Sequence, residues 1–198
     1  MESARWCRRA AEQGDKRAQL YLGVLFETGR GVAQSDMKAA RWFKASAEQG
    51  MKDAQYILGR MLLYGVGVAQ SDDNAFRWFR KAADQGHAKA QCNIGNLCKC
   101  GRGVSQDDLE AAKWFKMAAE GGDEEAQILL GDSFHSGRGV VQSYSEALRW
   151  YKKAVDQGLA QAQYNIGHMF ANGHGVAQSN ALSAQWCRKA AVQGHAQA

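Results

Sequence analysis

The sequence predicts an all-α protein, an α/α superhelical solenoid of 36-residue helix-turn-helix repeats, with about five and a half repeats, eleven helices and a C-terminal stub. Three observations predict it. The stretch "GRGVAQSD" at 29–36 returns as "GVGVAQSD" from 65, "GRGVSQDD" from 101, "GRGVVQSY" from 137 and "GHGVAQSN" from 173, always 36 residues on. Trp6, Trp42, Trp78, Trp114, Trp150 and Trp186 share one column of that period, and Gly14, Gly50, Gly86, Gly122, Gly158 and Gly194 another, with no insertion. Within one unit the apolar positions recur at helical rather than strand spacing. A fixed period of this length marks an array and outranks the nucleotide loop that an isolated Gly-x-Gly would suggest.

The elements follow in order. From Asp15 to Thr28 apolar residues fall at 18, 22, 25 and 26, which predicts helix A. From Asp36 to Gln49 they fall at 39, 42, 43 and 47, which predicts helix B. Ser35 or Asp36 caps helix B, and Gly50 ends it in the left-handed conformation. The Gly-x-Gly pair turns the chain between the helices, and the valine after it plugs the elbow. Gly23, Gly59, Gly95, Gly131 and Gly167 sit inside helix A, where glycine costs about 1 kcal/mol against alanine. Their recurrence implies that helix B packs too close for a side chain. The Trp column and the aromatic column after it, Phe43, Phe79, Phe115 and Tyr151, are expected to form one continuous seam as repeats stack. Residues 1–198 read as a single domain whose ends, both ordinary half-repeats without polar caps, are those of a segment of a longer array. Weak end-to-end self-stacking around Trp6 and Trp186 is expected in consequence.

A 36-residue helical hairpin reading A-Q-x-x-[LI]-G, then G-x-G-V-x-Q, then A-x-x-W-[FY]-x-x-[AS]-A-x-Q-G resembles the Sel-one-like repeat (SLR) family, a relative of the tetratricopeptide repeats. Six copies agree in phase over the whole chain. The resemblance implies a protein–protein scaffold or adaptor with helix A lining the concave face. Some members of that family are secreted and cysteine-rich, with cysteines paired inside each repeat. This chain departs from them: its five cysteines are irregularly spaced, and Cys92 and Cys100 are eight residues apart, about 12 Å along a helix, too far to bridge. Cys7 and Cys187 fall in the aromatic column, and Cys98 replaces the core residue equivalent to Phe26. No signal peptide or membrane span is visible, which favours the cytoplasm for the chain as it stands.

The net charge of +5 raises nucleic acid as a partner. The basic column of helix B, Arg8, Lys44, Arg80, Lys116, Lys152 and Arg188, is answered four residues on by Glu12, Glu48, Asp84, Glu120 and Asp156. Such a neutralised ladder is a solvated face, not a phosphate track, so no nucleic-acid partner is expected. Nor is an enzyme. Ser35-Asp36-Met37-Lys38 matches the S-x-x-K motif of penicillin-recognising enzymes. Its partner motifs are absent, however, and the other copies replace the lysine with Asn74, Glu110, Glu146 and Leu182. Cys100 with His135 offers too few ligands for a metal; neither metal nor cofactor is expected. The alternative from a different class is a periplasmic or secreted SLR protein that binds sugar or peptidoglycan, or acts as a penicillin-recognising hydrolase.

Columns that vary between copies are free to read a partner. Alignment on the mid-helix glycines carries the concave face of tetratricopeptide arrays onto five columns: Arg17, Asp53, Lys89, Glu125 and Gln161; Leu20, Tyr56, Cys92, Ile128 and Tyr164; Val24, Arg60, Asn96, Asp132 and His168; Glu27, Leu63, Lys99, His135 and Ala171; and Thr28, Tyr64, Cys100, Ser136 and Asn172. Lys89, Asn93, Asn96 and Lys99 fall on one helical stripe. Asn93, repeated by Asn165, stands where many tetratricopeptide repeats use asparagine to hold a ligand's main chain. The expected binding set is therefore Tyr56, Arg60, Tyr64, Lys89, Asn93, Asn96, Lys99, Ile128, Asp132, Tyr164 and His168. Its expected partner is a peptide or protein carrying an acidic side chain or a free C-terminal carboxylate.

Overall fold

A computed structural model describes residues 2–194. Every regular element among them is an α-helix: α1 (Glu2–Glu12), α2 (Lys16–Thr28), α3 (Asp36–Glu48), α4 (Lys52–Tyr64), α5 (Asp72–Ala83), α6 (Ala88–Cys100), α7 (Asp108–Glu120), α8 (Glu124–Ser136), α9 (Tyr144–Asp156), α10 (Ala160–Asn172) and α11 (Asn180–Val192). Even-numbered helices are helix A of a repeat, odd-numbered ones helix B. The expected stub at 195–198 lies outside the described residues. The chain divides into two compact units, Met1–Gln106 and Asp107–Ala198, each made of the same repeat.

The turns follow from the sequence. Ser35, not Asp36, caps α3, its Oγ accepting from the Lys38 amide, and Ser71, Asp107, Ser143 and Ser179 do the same for the later B helices. Gly29 ends α2 at φ 71° and Gly31 follows at φ 72°, the left-handed region that glycine enters without a Cβ clash. The loop glutamine ties the elbow back: Gln34 Nε2 donates to the Glu27 carbonyl at 3.0 Å, and Gln142 and Gln178 repeat the bond at 2.8 Å. Val32 and Val68 pack against the first unit's core, so the valine plugs the elbow as expected. The second loop glycine has a further duty. A Cβ on Gly67 would strike the backbone of Asp36, where the preceding repeat's helix B begins.

Helix A meets helix B of its own repeat through the mid-helix glycine. A Cβ on Gly23, Gly59 or Gly131 would stand 2.5–2.7 Å from ring atoms of Phe43, Phe79 and Tyr151 respectively. In the last repeat a Cβ on Gly167 would instead meet Cys187 Sγ at 2.9 Å, so the aromatic column ends in a thiol. Phe43, Phe79, Phe115 and Tyr151 are all 2 % exposed or less.

The tryptophans do not complete the expected seam. Trp114 and Trp150 are buried, but Trp42, Trp78 and Trp186 are half-buried and Trp6 is exposed. Each stands one residue before the aromatic column, about 100° round the helix, at the seam's edge. Lysines close part of that edge: Lys81, Lys153 and Lys189 place Nζ 4.1, 4.0 and 4.5 Å from the ring centroids of Trp78, Trp150 and Trp186. Of the expected ion-pair ladder, Lys44–Glu48, Arg80–Asp84 and Lys116–Glu120 form, all on exposed side chains and therefore worth little.

The recurring Ala-Gln pair serves the packing. Ala54, Ala90, Ala126 and Ala162 are fully buried. Gln19, Gln55, Gln91 and Gln127, each buried, donate Nε2 to the carbonyls of Ala11, Ala47, Ala83 and Ala119 at the end of the preceding helix B. Three of these glutamines accept in turn from a glutamine of the following helix B end: Gln49 to Gln19 at 2.7 Å, Gln85 to Gln55 at 2.8 Å and Gln157 to Gln127 at 3.0 Å. Within each unit the repeats are thus joined by amide chains, buried at the helix A glutamine, as well as by apolar contact.

Candidate functional site

The residues expected to bind lie on helix A in both units. The columns that open with Arg17 and Thr28 are exposed throughout. The column of Leu20, Tyr56, Cys92, Ile128 and Tyr164 is half-buried or buried: Leu20 and Ile128 pack against core clusters, so Ile128 is packing rather than an open pocket wall.

In the first unit, Tyr56 stacks on His87 with centroids 4.5 Å apart and tilts against Phe79 at 6.0 Å. Arg60 Cζ lies 5.9 Å from the Tyr56 centroid. Tyr64, 63 % exposed, stands at the end of α4. On α6, Lys89 is exposed, and Asn93, Asn96 and Lys99 are half-buried. Asn93 Nδ2 donates to the Lys89 carbonyl at 2.8 Å, so one amide hydrogen is bound to its own helix. His87 caps α6, its Nδ1 accepting from the Ala90 amide, and its Nε2 lies 3.6 Å from Asp53 Oδ1. Burial lowers its pKa in spite of that carboxylate.

In the second unit, Asp132, Tyr164 and His168 do converge. With His135, Tyr151 and Asn165 they line a cleft of about 260 Å³ between α8 and α10. Its floor is a hydrogen-bonded set: Tyr151 Oη donates to Asp132 Oδ1 at 2.7 Å, Asn165 Nδ2 donates to the same oxygen at 3.2 Å, and Gln161 Nε2 donates to Asn165 Oδ1 at 2.9 Å. Burial and the Asp132 carboxylate together push the Tyr151 phenol far above its ordinary range, so it remains a donor. Asn165 is therefore committed to the protein's own network.

The cleft borders a group that local spacing does not mark. His135 at the end of α8, His168 on α10 and His174 in the following Gly-x-Gly loop bring one ring nitrogen each within 4.8 Å of one another. His135 Nε2 and His174 Nδ1 are 2.9 Å apart. Among metal ligands the sequence brings only Cys100 with His135 into consideration; the fold instead sets His168 and His174 beside His135. The signal lies in the period: residue 171 is the repeat equivalent of 135, and both 168 and 174 fall within one helical turn of it in sequence.

Also in the first unit, Met37 and Arg41 of α3, Leu58 and Leu62 of α4, Val68 and Trp78 help line a second cleft of about 540 Å³. No helix among the described residues is long and apolar enough to cross a membrane. None of the five cysteines forms a disulfide; Cys92 and Cys98 are buried, and Cys100 is exposed.

Sel1 repeat models match residues 2–15, 16–51, 52–87, 88–123, 124–159 and 160–195. The chain belongs to the Sel1 repeat family. Among solved structures it is similar to a protective antigen of uropathogenic Escherichia coli that displays an SLR fold, with 39 % identity and a TM-score of 0.92 over 96 % of this chain. It spans only 41 % of that protein. A Sel1 repeat protein from Oxalobacter formigenes matches at 31 % identity and a TM-score of 0.83, over 94 % of this chain and 75 % of that one. A Sel1 repeat protein from Klebsiella pneumoniae, at 22 % identity and a TM-score of 0.60 over 98 % of this chain and 94 % of that one, shares the fold. No curated protein sequence matches. Sel1 arrays typically act as scaffolds for protein interaction.

Proposed function

We propose that this Sel1 array is a non-enzymatic scaffold that binds a partner peptide or protein on the helix A face. The observation that carries the reading is the division of labour within the repeat. Glycine, aromatic and Ala-Gln columns are occupied by packing and buried hydrogen bonds, while the columns that open with Arg17 and Thr28 are exposed and change identity from copy to copy. In the first unit the face offers Arg60, Lys89 and Lys99 as positive charge, Asn93 and Asn96 as amides and Tyr64 as an exposed ring. Such a set suits an extended segment with an acidic side chain or free carboxylate, since an amide both donates to and accepts from a peptide backbone. In the second unit the cleft of Asp132, Tyr164 and His168 adds a polar recess.

Selection of a displayed peptide library on the purified chain tests the reading. Enriched peptides are expected to carry acidic side chains or to depend on a free C-terminus. The double variant Asn93→Ala, Asn96→Ala is expected to weaken them by about 1–3 kcal/mol, the size of hydrogen bonds to charged groups, with helicity unchanged. Unchanged affinity would refute the assignment of α6.

A further inference from the structure

We propose that His135, His168 and His174 form a binding site for a divalent first-row transition metal of the Zn²⁺ class, with three imidazole ligands and one open coordination position. The site shares His135 and His168 with the second unit's cleft but does not rest on the partner-binding reading. Three of the chain's five histidines meet here. Their facing nitrogens, all within 4.8 Å of one another, are close to the separation of about 3.3 Å that tetrahedral Zn–N bonds of about 2.05 Å impose. His135 Nε2 and His174 Nδ1, at 2.9 Å, need to part slightly. His168 is exposed and can swing inward, so the site closes without moving a helix.

Two of the three rings are packed in place. The His174 ring stacks on Tyr144 with centroids 4.6 Å apart and planes 6° from parallel, and His135 packs on the same Tyr144 at 5.3 Å. Gln142 Nε2 joins the frame, donating to the His135 carbonyl at 2.8 Å and to Tyr144 Oη at 3.2 Å. This frame limits the turning of the His135 and His174 rings. Asn172 Nδ2 lies 3.2 Å from His168 Nε2, a second polar group at the rim.

A bound divalent ion takes neutral imidazole, and in doing so the single hydrogen shared between His135 and His174 moves to the far nitrogen of its own ring. Three imidazoles suit Zn²⁺, Cu²⁺ or Ni²⁺ over Mg²⁺ or Ca²⁺, which prefer oxygen.

The test uses the whole chain stripped with chelator. Zn²⁺ is titrated by calorimetry, and Co²⁺ is followed by its visible d–d absorption, which reports coordination geometry. The expected result is one equivalent bound, with four-coordinate Co²⁺ spectra. His168→Ala, an exposed position that folding does not depend on, and His174→Ala should each weaken binding by about 100-fold or more, beyond the loss that a missing second-shell partner causes. Cys100→Ser, which removes the exposed thiol, should leave binding unchanged. No saturable binding, binding unaltered in His168→Ala, or binding lost in Cys100→Ser would each overturn the proposal and leave the histidines as a hydrogen-bonded cluster.

Discussion

The ring of Phe79 lies against the bare Cα of Gly59, so close that a Cβ there would stand 2.7 Å from both Cδ1 and Cε1. Alanine is otherwise the better helix former, by about 1 kcal/mol. Gly59→Ala should nonetheless destabilise the protein by about 1–3 kcal/mol, the usual cost of overpacking. The double variant with Phe79→Leu should recover part of that loss, because the leucine can yield where the ring cannot. Denaturant melts of the four proteins in the cycle measure the coupling. Additive losses would mean that the close approach is not what keeps glycine in the column.

The tryptophans are expected to differ by burial. Trp114→Ala, at a site 5 % exposed, should cost about 3–5 kcal/mol. Trp78→Ala should cost clearly less, since its ring is half-buried and partly covered by the Lys81 ammonium. Equal losses in urea titrations would show that the edge of the seam is as well packed as its middle.

The amide chain between repeats makes a separate prediction. Gln55 donates to the Ala47 carbonyl at 3.1 Å and accepts from Gln85 at 2.8 Å. Gln55→Met keeps the length of the side chain and strands a buried carbonyl, for an expected loss of about 1–3 kcal/mol. Gln85→Ala, at an exposed position, should cost about 1 kcal/mol or less. Thermal unfolding followed by circular dichroism distinguishes the two.

Acid should weaken the fold through His87 and His135. Burial lowers the pKa of both below 6.5 in the native state. The unfolded chain therefore takes up protons first as pH falls through about 6.5, and stability drops until the native rings also titrate. Above that range both rings are neutral folded or unfolded, and their contribution is complete. Urea midpoints measured from pH 7.5 to 5 should fall, and the fall should shrink in His135→Gln. A midpoint that rises on acidification would contradict the sign.

Much of this was readable in the sequence because the deciding rules are local. A Ser-Asp pair after a Gly-x-Gly turn can only open a helix, and Ser35 does so. A glycine recurring inside a helix implies a close neighbour, and the aromatic rings are that neighbour. The Trp column misled because two adjacent apolar residues on one helix look alike in sequence, whereas the depth of each depends on what the next repeat lays over it. Asn93 was found by column, but its bond to Lys89's carbonyl depends on a rotamer that no pattern specifies. Asp132 read as a surface column and is instead the acceptor for Tyr151 and Asn165. The histidines lie 6 to 39 residues apart, and only stacking brings loop residue His174 beside the end of α8.

The helix A face is the central claim, and backbone chemical-shift mapping with a selected acidic peptide tests it most directly. The account predicts that perturbations in the first unit concentrate on α4 and α6, around Arg60, Lys89, Asn93, Asn96 and Lys99. Perturbations centred instead on the apolar cleft of Met37, Leu58 and Trp78, with α6 silent, would contradict it.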